Sequence, residues 1–406
     1  MRPRVAMIAY ACDPEGSGEH WLGWGWAEQA ARSFDVQLVT PPKNRAAIER
    51  HATRAGLTPH FVELAPGVRR LSERLGSVGS WLRKIIWQRH AARRVAELHA
   101  REQIVLVHQT TFHTFRVPFA AASLGIPSVW GPIAGGESTP PGFAGWLGSA
   151  RSSERWRAIT NRLCLAVPAV RRSLRDAGAI FVSNHTTLDF LPQSCRAKCE
   201  IVPPNTLRED EAAPVRPTAA ATENLHLLYV GNCVATRAIP LVLEALARLD
   251  DDRFTLTVVG RGPALEDWRR EAAARSLAER VTFAGQVGRE ELDRFYAAAD
   301  VLVFPALRDA GGSALLEAMS KGIPVVCFDW GGPAEMLDAS CGVKIAVTNP
   351  EQTIRDLAAA LGHLRDDPAG RTALATRAIE RVRARFTWAA KRLLLESTYR
   401  RLIGSP

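Results

Sequence analysis

The stretch LRDAGGSALLEAMSKGIPVVCFDWGGPAEML, residues 307–337, places Asp309 ahead of the pair Gly311-Gly312 and puts Glu317 beyond it, on a segment of helical composition that begins near Ser313. Glycines let a ligand approach the backbone, and the unpaired N–H groups at a helix start favour a phosphate. A carboxylate on either side of that start can accept hydrogen bonds from vicinal hydroxyls. The spacing suits a nucleotide-sugar, with the diphosphate at the glycines, a ribose at one acid and a second sugar at the other. Without a ligand, the same residues read as a solvated helix and a plain turn.

Further candidates lie in the first half. Gly16, Ser17 and Gly18 follow the apolar run Val5 to Tyr10 and form a second phosphate-friendly loop. His108 ends the run IVLVH, at the carboxyl edge where ligand-binding residues of a parallel sheet collect, although a histidine there is often structural. His113 and Glu137 are weaker candidates, placed nearer an acceptor. LDDDRF at 249–254 contains Asp-x-Asp, a metal-binding pattern, but lies between a helix and a strand and reads as a solvated turn. VVGRGP at 258–263 lacks the third glycine of a nicotinamide-binding loop.

These residues need a scaffold. With 406 residues and 47% hydrophobic content the chain exceeds one ordinary domain, so two are expected. Apolar runs alternate with helical stretches in both halves: Val5 to Tyr10, Val36 to Thr40, Ile104 to His108, Ser128 to Trp130 and Ile180 to Ser183, then Leu225 to Gly231, Phe254 to Gly260, Val301 to Pro305 and Val325 to Phe328. Such alternation predicts an α/β architecture of two doubly wound, Rossmann-like parallel-sheet domains facing a central cleft. The Pro-, Ala- and charge-rich segment 205–222 reads as the linker.

No apolar stretch reaches the ~18 to 20 residues of a membrane span, so a soluble chain is expected. The start MRPRVAMIAYACDPEG reads as a buried strand, since its apolar run is short for a signal peptide. Seven scattered cysteines without a Cys-x-x-Cys pair suggest reduced thiols in a cytoplasmic protein. The net charge of +10 is concentrated. Residues 66–101 carry nine Lys/Arg against two Glu, and residues 151–176 seven Arg against Glu154 and Asp176. A uniformly basic nucleic-acid binder is thereby disfavoured. In residues 71–96, Leu71, Leu75, Val78, Leu82, Ile85, Ala92 and Val95 recur near helical spacing, with Trp81 and Trp87 beside them. That pattern fits either a basic amphipathic segment on an anionic membrane or a solvated helix covering the sheet.

The stretch with Asp309, Glu317 and GIPVV resembles the signature of retaining glycosyltransferases of family 4, which have the GT-B fold. YVGNCVATRAIPLVLEAL, IVPPN and FTWAAKRLLLESTYRRL resemble further segments of that family, and ACDPEGSGEHWLGWGW and VWGPIAGGE resemble a bacterial subgroup. The resemblance implies an acceptor-side domain at 1–205, a donor-binding domain at 206–385, and a last helix at 386–406 that crosses back to the first domain. It implies transfer of a sugar from a nucleotide-sugar to a glycan or lipid-linked acceptor with retained configuration. His108, Asp309 and Arg237 would then be catalytic, with Arg237 on the diphosphate and Asp309 on the transferred sugar. Donor binding would fall to Gly16, Ser17, Gly18, Asn232, Arg237, Asp309, Gly311, Gly312, Ser313 and Glu317, the last on the ribose. No metal or other cofactor is expected. The alternatives are a GT-B epimerase or phosphorylase and a non-catalytic membrane- or nucleic-acid-binding relative. Two departures stand out: Asp309 replaces the usual glutamate, and Asn232 occupies a position where the family often has arginine.

Overall fold

A computed structural model describes residues 2–208 and 223–404. Most of the expected linker, 209–222, lies outside them. The chain divides into two compact units, one formed by Met1–Gly136, Ile159–Pro204 and Trp388–Pro406, the other by Glu137–Ala158 and Asn205–Thr387. Residues 137–158 thus join the second unit, whereas the sequence reading keeps them in the first domain.

The first unit holds seven strands: β1 (Arg4–Ile8), β2 (Asp35–Thr40), β3 (Leu57–Phe61), β4 (Leu106–Gln109), β5 (Ser128–Ile133), β6 (Ala179–Val182) and β7 (Cys199–Ile201). They pair in parallel in the order β3-β2-β1-β4-β5-β6-β7. Successive side chains of a strand point to opposite faces, and here helices cover both. Along β1, Val5 and Met7 enter one core with Trp26, Trp388 and Tyr399, while Ala6 and Ile8 enter another with Trp87, Val95 and Trp130. The helix Trp388–Ile403 supplies part of the first core, and Gly25 makes room for it. A Cβ on Gly25 would stand 2.0 Å from the Trp388 ring.

The second unit repeats the plan with β8 (Leu225–Val230), β9 (Phe254–Val259), β10 (Val281–Gly285), β11 (Val301–Phe304), β12 (Val325–Phe328) and β13 (Val343–Ile345). Their order is β10-β9-β8-β11-β12-β13, all parallel. The strands that the sequence reading misses are β3, β7, β10 and β13, which are the four sheet edges. An edge strand is buried only in part, as in β7 and β10, so its sequence lacks the continuous apolar run of a central one.

The basic segment 66–101 forms two helices, Pro66–Arg74 and Gly76–Glu102, which break at Gly76, where φ is 55°. They pass so closely that a Cβ on Gly79 would lie 2.0 Å from the Ser72 carbonyl oxygen. Ala92, Val95 and Leu98 cover the sheet, whereas Leu71, Leu75, Val78 and Leu82 are exposed. One end of the segment thus packs on the sheet, and the other leaves apolar side chains exposed. The two tryptophans are not part of the exposed end: Trp87 is buried and donates to the Val62 carbonyl at 3.0 Å, and half-buried Trp81 donates to the Arg116 carbonyl at 3.0 Å.

Candidate functional site

In the second unit, β8 and β11 are neighbours, and the loops after them bring Arg237 and Asp309 together. Arg237 Nη2 lies 2.5 Å from Asp309 Oδ2, with both side chains mostly buried. Arg237 Nη1 donates to the Arg308 carbonyl at 3.0 Å, and the guanidinium carbon sits 5.2 Å from the Phe304 ring centroid. Its Nε is buried without a partner among the described residues. Nearby, the Tyr229 hydroxyl donates to the Asn232 carbonyl at 2.9 Å, and burial pushes this phenol up despite the opposing charge of Arg237. The side chain of Asn232 is exposed.

Asp309 also shapes the loop ahead of the helix Ser313–Ser320, since its Oδ1 accepts from Gly311 N at 2.8 Å and its carbonyl from Gly332 N at 2.8 Å. The second glycine pair of the stretch serves this contact. A Cβ on Gly332 would meet the Ala310 carbonyl at 2.2 Å, and one on Gly331 the Asp309 carbonyl oxygen at 2.7 Å. At Gly312, φ is 99°, a conformation that disfavours any other residue.

The helix start differs from the expected open anion site. With its amide oxygen turned toward the donors, Asn205 accepts from Gly312 N at 3.1 Å and from Ser313 N at 3.0 Å. The first N–H groups are thus satisfied within the protein, two by Asn205 and that of Gly311 by Asp309. An incoming diphosphate would take over these donors. Asn205 belongs to the segment IVPPN, and nothing in its local spacing marks it as a helix cap.

Glu317 lies further along the same helix, which buries Leu315, Leu316, Ala318 and Met319. Its Oε2 is 3.5 Å from Arg289 Nη1, and it hydrogen-bonds the Tyr296 hydroxyl. Burial, together with the negative charge of Glu317, pushes that phenol up. Beside Arg237, Arg308 Nη2 pairs with Glu154 Oε1 at 3.0 Å, and Arg157 Nε lies 3.4 Å from Glu154 Oε2. A cavity of about 420 Å³ is lined here by Thr236, Pro263, Trp268, Arg308, residues 145–150, Ser153 and Glu154. Arg308 and Glu154 escape the sequence reading because their partners are remote in the chain.

The Gly-x-Gly of VVGRGP has a packing role. A Cβ on Gly260 would stand 1.9 Å from the Gly231 carbonyl oxygen, and one on Gly262 2.3 Å from that of Cys233. In LDDDRF, Asp251 accepts from Arg253 at 2.8 Å and pairs with Arg365, and these arginines hold its carboxyl well below the usual range. Asp250 ends a helix, and Asp252 is exposed.

In the first unit, Gly18 precedes the helix Glu19–Ala31 with φ 57°, and neither it nor Ser17 is covered. His108, the catalytic candidate of the sequence, has both ring nitrogens engaged within the protein. The residue is fully buried in β4, with Nε2 2.8 Å from the Gly131 carbonyl and Nδ1 2.6 Å from the Tyr399 hydroxyl. A carbonyl only accepts, so Nε2 carries the proton and Nδ1 accepts from Tyr399. Burial lowers its pKa to about 4. In His113 the backbone N–H donates to Glu19 Oε1 at 3.0 Å, burial lowers the pKa of the ring against the opposing charge of Glu19, and Nε2, shielded from solvent, has no partner among the described residues. Glu137, assigned to the second unit, is buried, and its carbonyl accepts from Arg157.

Residues 214–381 match the family described as glycosyl transferases group 1. A D-inositol 3-phosphate glycosyltransferase of Kineococcus radiotolerans is 34% identical over 229 residues, covering 51% of this chain and 52% of that one. An alpha-D-kanosaminyltransferase of Streptomyces kanamyceticus is 27% identical over 249 residues, covering 58% of this chain and 63% of that protein. The chain thus spans about half the length of the first and 63% of the second. The sucrose-phosphate synthase structure from Thermosynechococcus elongatus superposes with a TM-score of 0.62 at 20% identity, covering 99% of this chain and all of that one, a likeness of fold.

Proposed function

We propose that this chain, which carries a glycosyl transferases group 1 domain on the GT-B fold, transfers a sugar from a nucleotide-sugar donor to a glycan or lipid-linked acceptor with retention of configuration. The observation that carries the reading is the Arg237–Asp309 pair beside the Gly311-Gly312 helix start, inside the matched domain. Arg237 offers charge to a diphosphate and Asp309 a carboxylate to a sugar hydroxyl. The N–H groups now held by Asn205 and Asp309 would complete the phosphate site. Stabilising the departing diphosphate is the main catalytic work, by preorganised positive charge and N–H dipoles. The attacking acceptor enters on the same face, so no protein nucleophile is required. Arginine and backbone donors carry the positive charge, so the proposal includes no metal.

Glu317 is assigned to the ribose, exchanging its contacts with Arg289 and Tyr296 for the two hydroxyls. Charge-assisted bonds of this kind contribute about 1.5 to 3 kcal/mol, so Glu317→Ala should weaken nucleoside-diphosphate binding roughly 10- to 150-fold. Calorimetry giving wild-type affinity in the folded variant would remove the assignment.

The proposal extends to an anionic membrane surface. Leu71, Leu75, Val78 and Leu82 are exposed around the Ser72–Gly79 crossing, among Arg70 and Arg74, and Trp156, Ile159 and Leu163 are exposed along one face of the helix Arg151–Ala166 beside Arg155 and Arg162. Apolar and basic residues together on exposed helices suit an anionic bilayer. Among the described residues no helix is long and apolar enough to cross one. Each basic residue near the surface adds about 1 kcal/mol, so Arg70→Gln with Arg74→Gln should lower partitioning onto anionic vesicles about 30-fold at low salt. Wild-type protein left in the supernatant of a vesicle sedimentation at low salt would exclude the membrane role.

A further inference from the structure

A second cavity lies in the first unit. A cavity of about 750 Å³ opens beyond the carboxyl ends of three adjacent strands: Tyr10 and Cys12 follow β1, Pro41 to Asn44 follow β2, and Val62 to Leu64 follow β3. The helices Pro66–Arg74 and Gly76–Glu102 close it with Arg69, Arg83 and Trp87. Ligands of parallel sheets bind at such an edge, and the volume is that of a small-molecule site.

Its chemistry is specific. The floor is aromatic, with Tyr10 edge-on to Trp87 at 5.0 Å. Asn44 donates to the Cys12 carbonyl at 2.9 Å, and the nearby His20 ring adds a polar group, so the wall can bind hydroxyls. Three cations, Lys43, Arg69 and Arg83, line the cavity against two carboxylates, Glu63 and Glu73. Arg69 is paired with Glu73 at 3.3 Å, but no hydrogen bond or ion pair reaches Arg83 or Lys43 among the described residues. Arg83 Nε is shielded from solvent and still has no acceptor. A guanidinium without a partner among the described residues, on the wall of a half-open pocket, is arranged for a ligand's oxyanion, and its planar fork suits phosphate or carboxylate.

We propose that this pocket binds the anionic group of a phosphorylated or carboxylated glycosyl acceptor through Arg83 and Lys43, with the sugar or polyol against His20, Asn44 and Tyr10. The acceptor role rests on the transferase reading, whereas anion binding stands on the pocket alone. The source of the anion is either a soluble sugar phosphate or the phosphate of a lipid whose chain would lie toward the exposed Leu71 and Leu75.

The test is calorimetry on the full chain with glycerol 3-phosphate, with glycerol, and with phosphatidic acid in neutral detergent micelles. Each is repeated on Arg83→Gln with Lys43→Gln, and a parallel UDP, GDP and ADP titration reads the donor site. The expected result is binding of at least one phosphate probe but not of glycerol, weakened about 10- to 100-fold in the variant, with nucleotide affinity unchanged. Tighter binding of the micellar probe identifies a lipid source, and tighter binding of glycerol 3-phosphate a soluble one. Phosphate affinity equal in wild type and variant, or no phosphate binding by wild type, overturns the proposal. Failure of every nucleotide to bind would instead count against the transferase reading, and the phosphate arm would still decide the pocket.

Discussion

Arg237→Ala should reduce affinity for the nucleoside diphosphate by at least about 100-fold, the largest loss expected from any single change in the second unit. Two charge-assisted hydrogen bonds lost together, at about 1.5 to 3 kcal/mol each, correspond to that factor. The substitution also leaves Asp309, whose side chain is only 13% exposed, without its 2.5 Å partner. Arg237→Ala combined with Asp309→Asn removes the unpaired charge, so it should regain thermal stability without regaining nucleotide affinity. Arg237→Lys keeps the charge but not the fork that reaches Asp309 and the Arg308 carbonyl together, and should fall between wild type and alanine. A folded alanine variant that binds nucleotide within about threefold of wild type would detach Arg237 from the diphosphate.

The second large effect concerns stability. His108→Phe keeps the volume but strands the Tyr399 hydroxyl and the Gly131 carbonyl. Each buried group left without a partner costs about 1 to 3 kcal/mol, so the first unit should lose about 2 to 6 kcal/mol. The same histidine makes stability depend on pH in a stated direction. Its folded pKa of about 4 lies below the free value of about 6.5, so between these the unfolded chain takes up a proton that the folded chain does not. The contribution is fully present above pH ~6.5 and is lost as the pH falls toward 4, by up to about 3 kcal/mol, and the variant should lack this part of the profile. Thermal unfolding monitored from pH 7 to 4 checks both statements. A variant with unaltered stability and pH profile but no turnover would give His108 a role in the chemistry instead.

What the sequence disclosed follows from burial. Nine strands flanked by other strands were legible because both faces of each are covered, which leaves runs such as VLVF in β11. The four edges were not, and in β3 a proline further interrupts the run LTPHF. The acid and glycine pattern of 307–337 was readable because it is local, from Asp309 to Glu317 and on to Gly331-Gly332. Asn205 over the helix start, Glu154 on Arg308 and Tyr229 beside Arg237 were not, since those contacts close only when the chain folds. His108 and His113 show the limit of position alone. Five residues apart, in and just after one strand, they differ at Nε2, which in His108 reaches the Gly131 carbonyl and in His113 has no partner among the described residues, while Nδ1 of His108 depends on Tyr399 from the last helix.

The central claim is that the second unit binds a nucleoside diphosphate through Arg237 and the helix start at Ser313, without a metal. The direct measurement is calorimetric titration of UDP, GDP and ADP into the wild-type chain and Arg237→Ala, in the presence of EDTA. The account predicts that at least one nucleotide binds the wild type and that Arg237→Ala loses that binding. Binding of none of the three, or binding that appears only when manganese replaces EDTA, would contradict it.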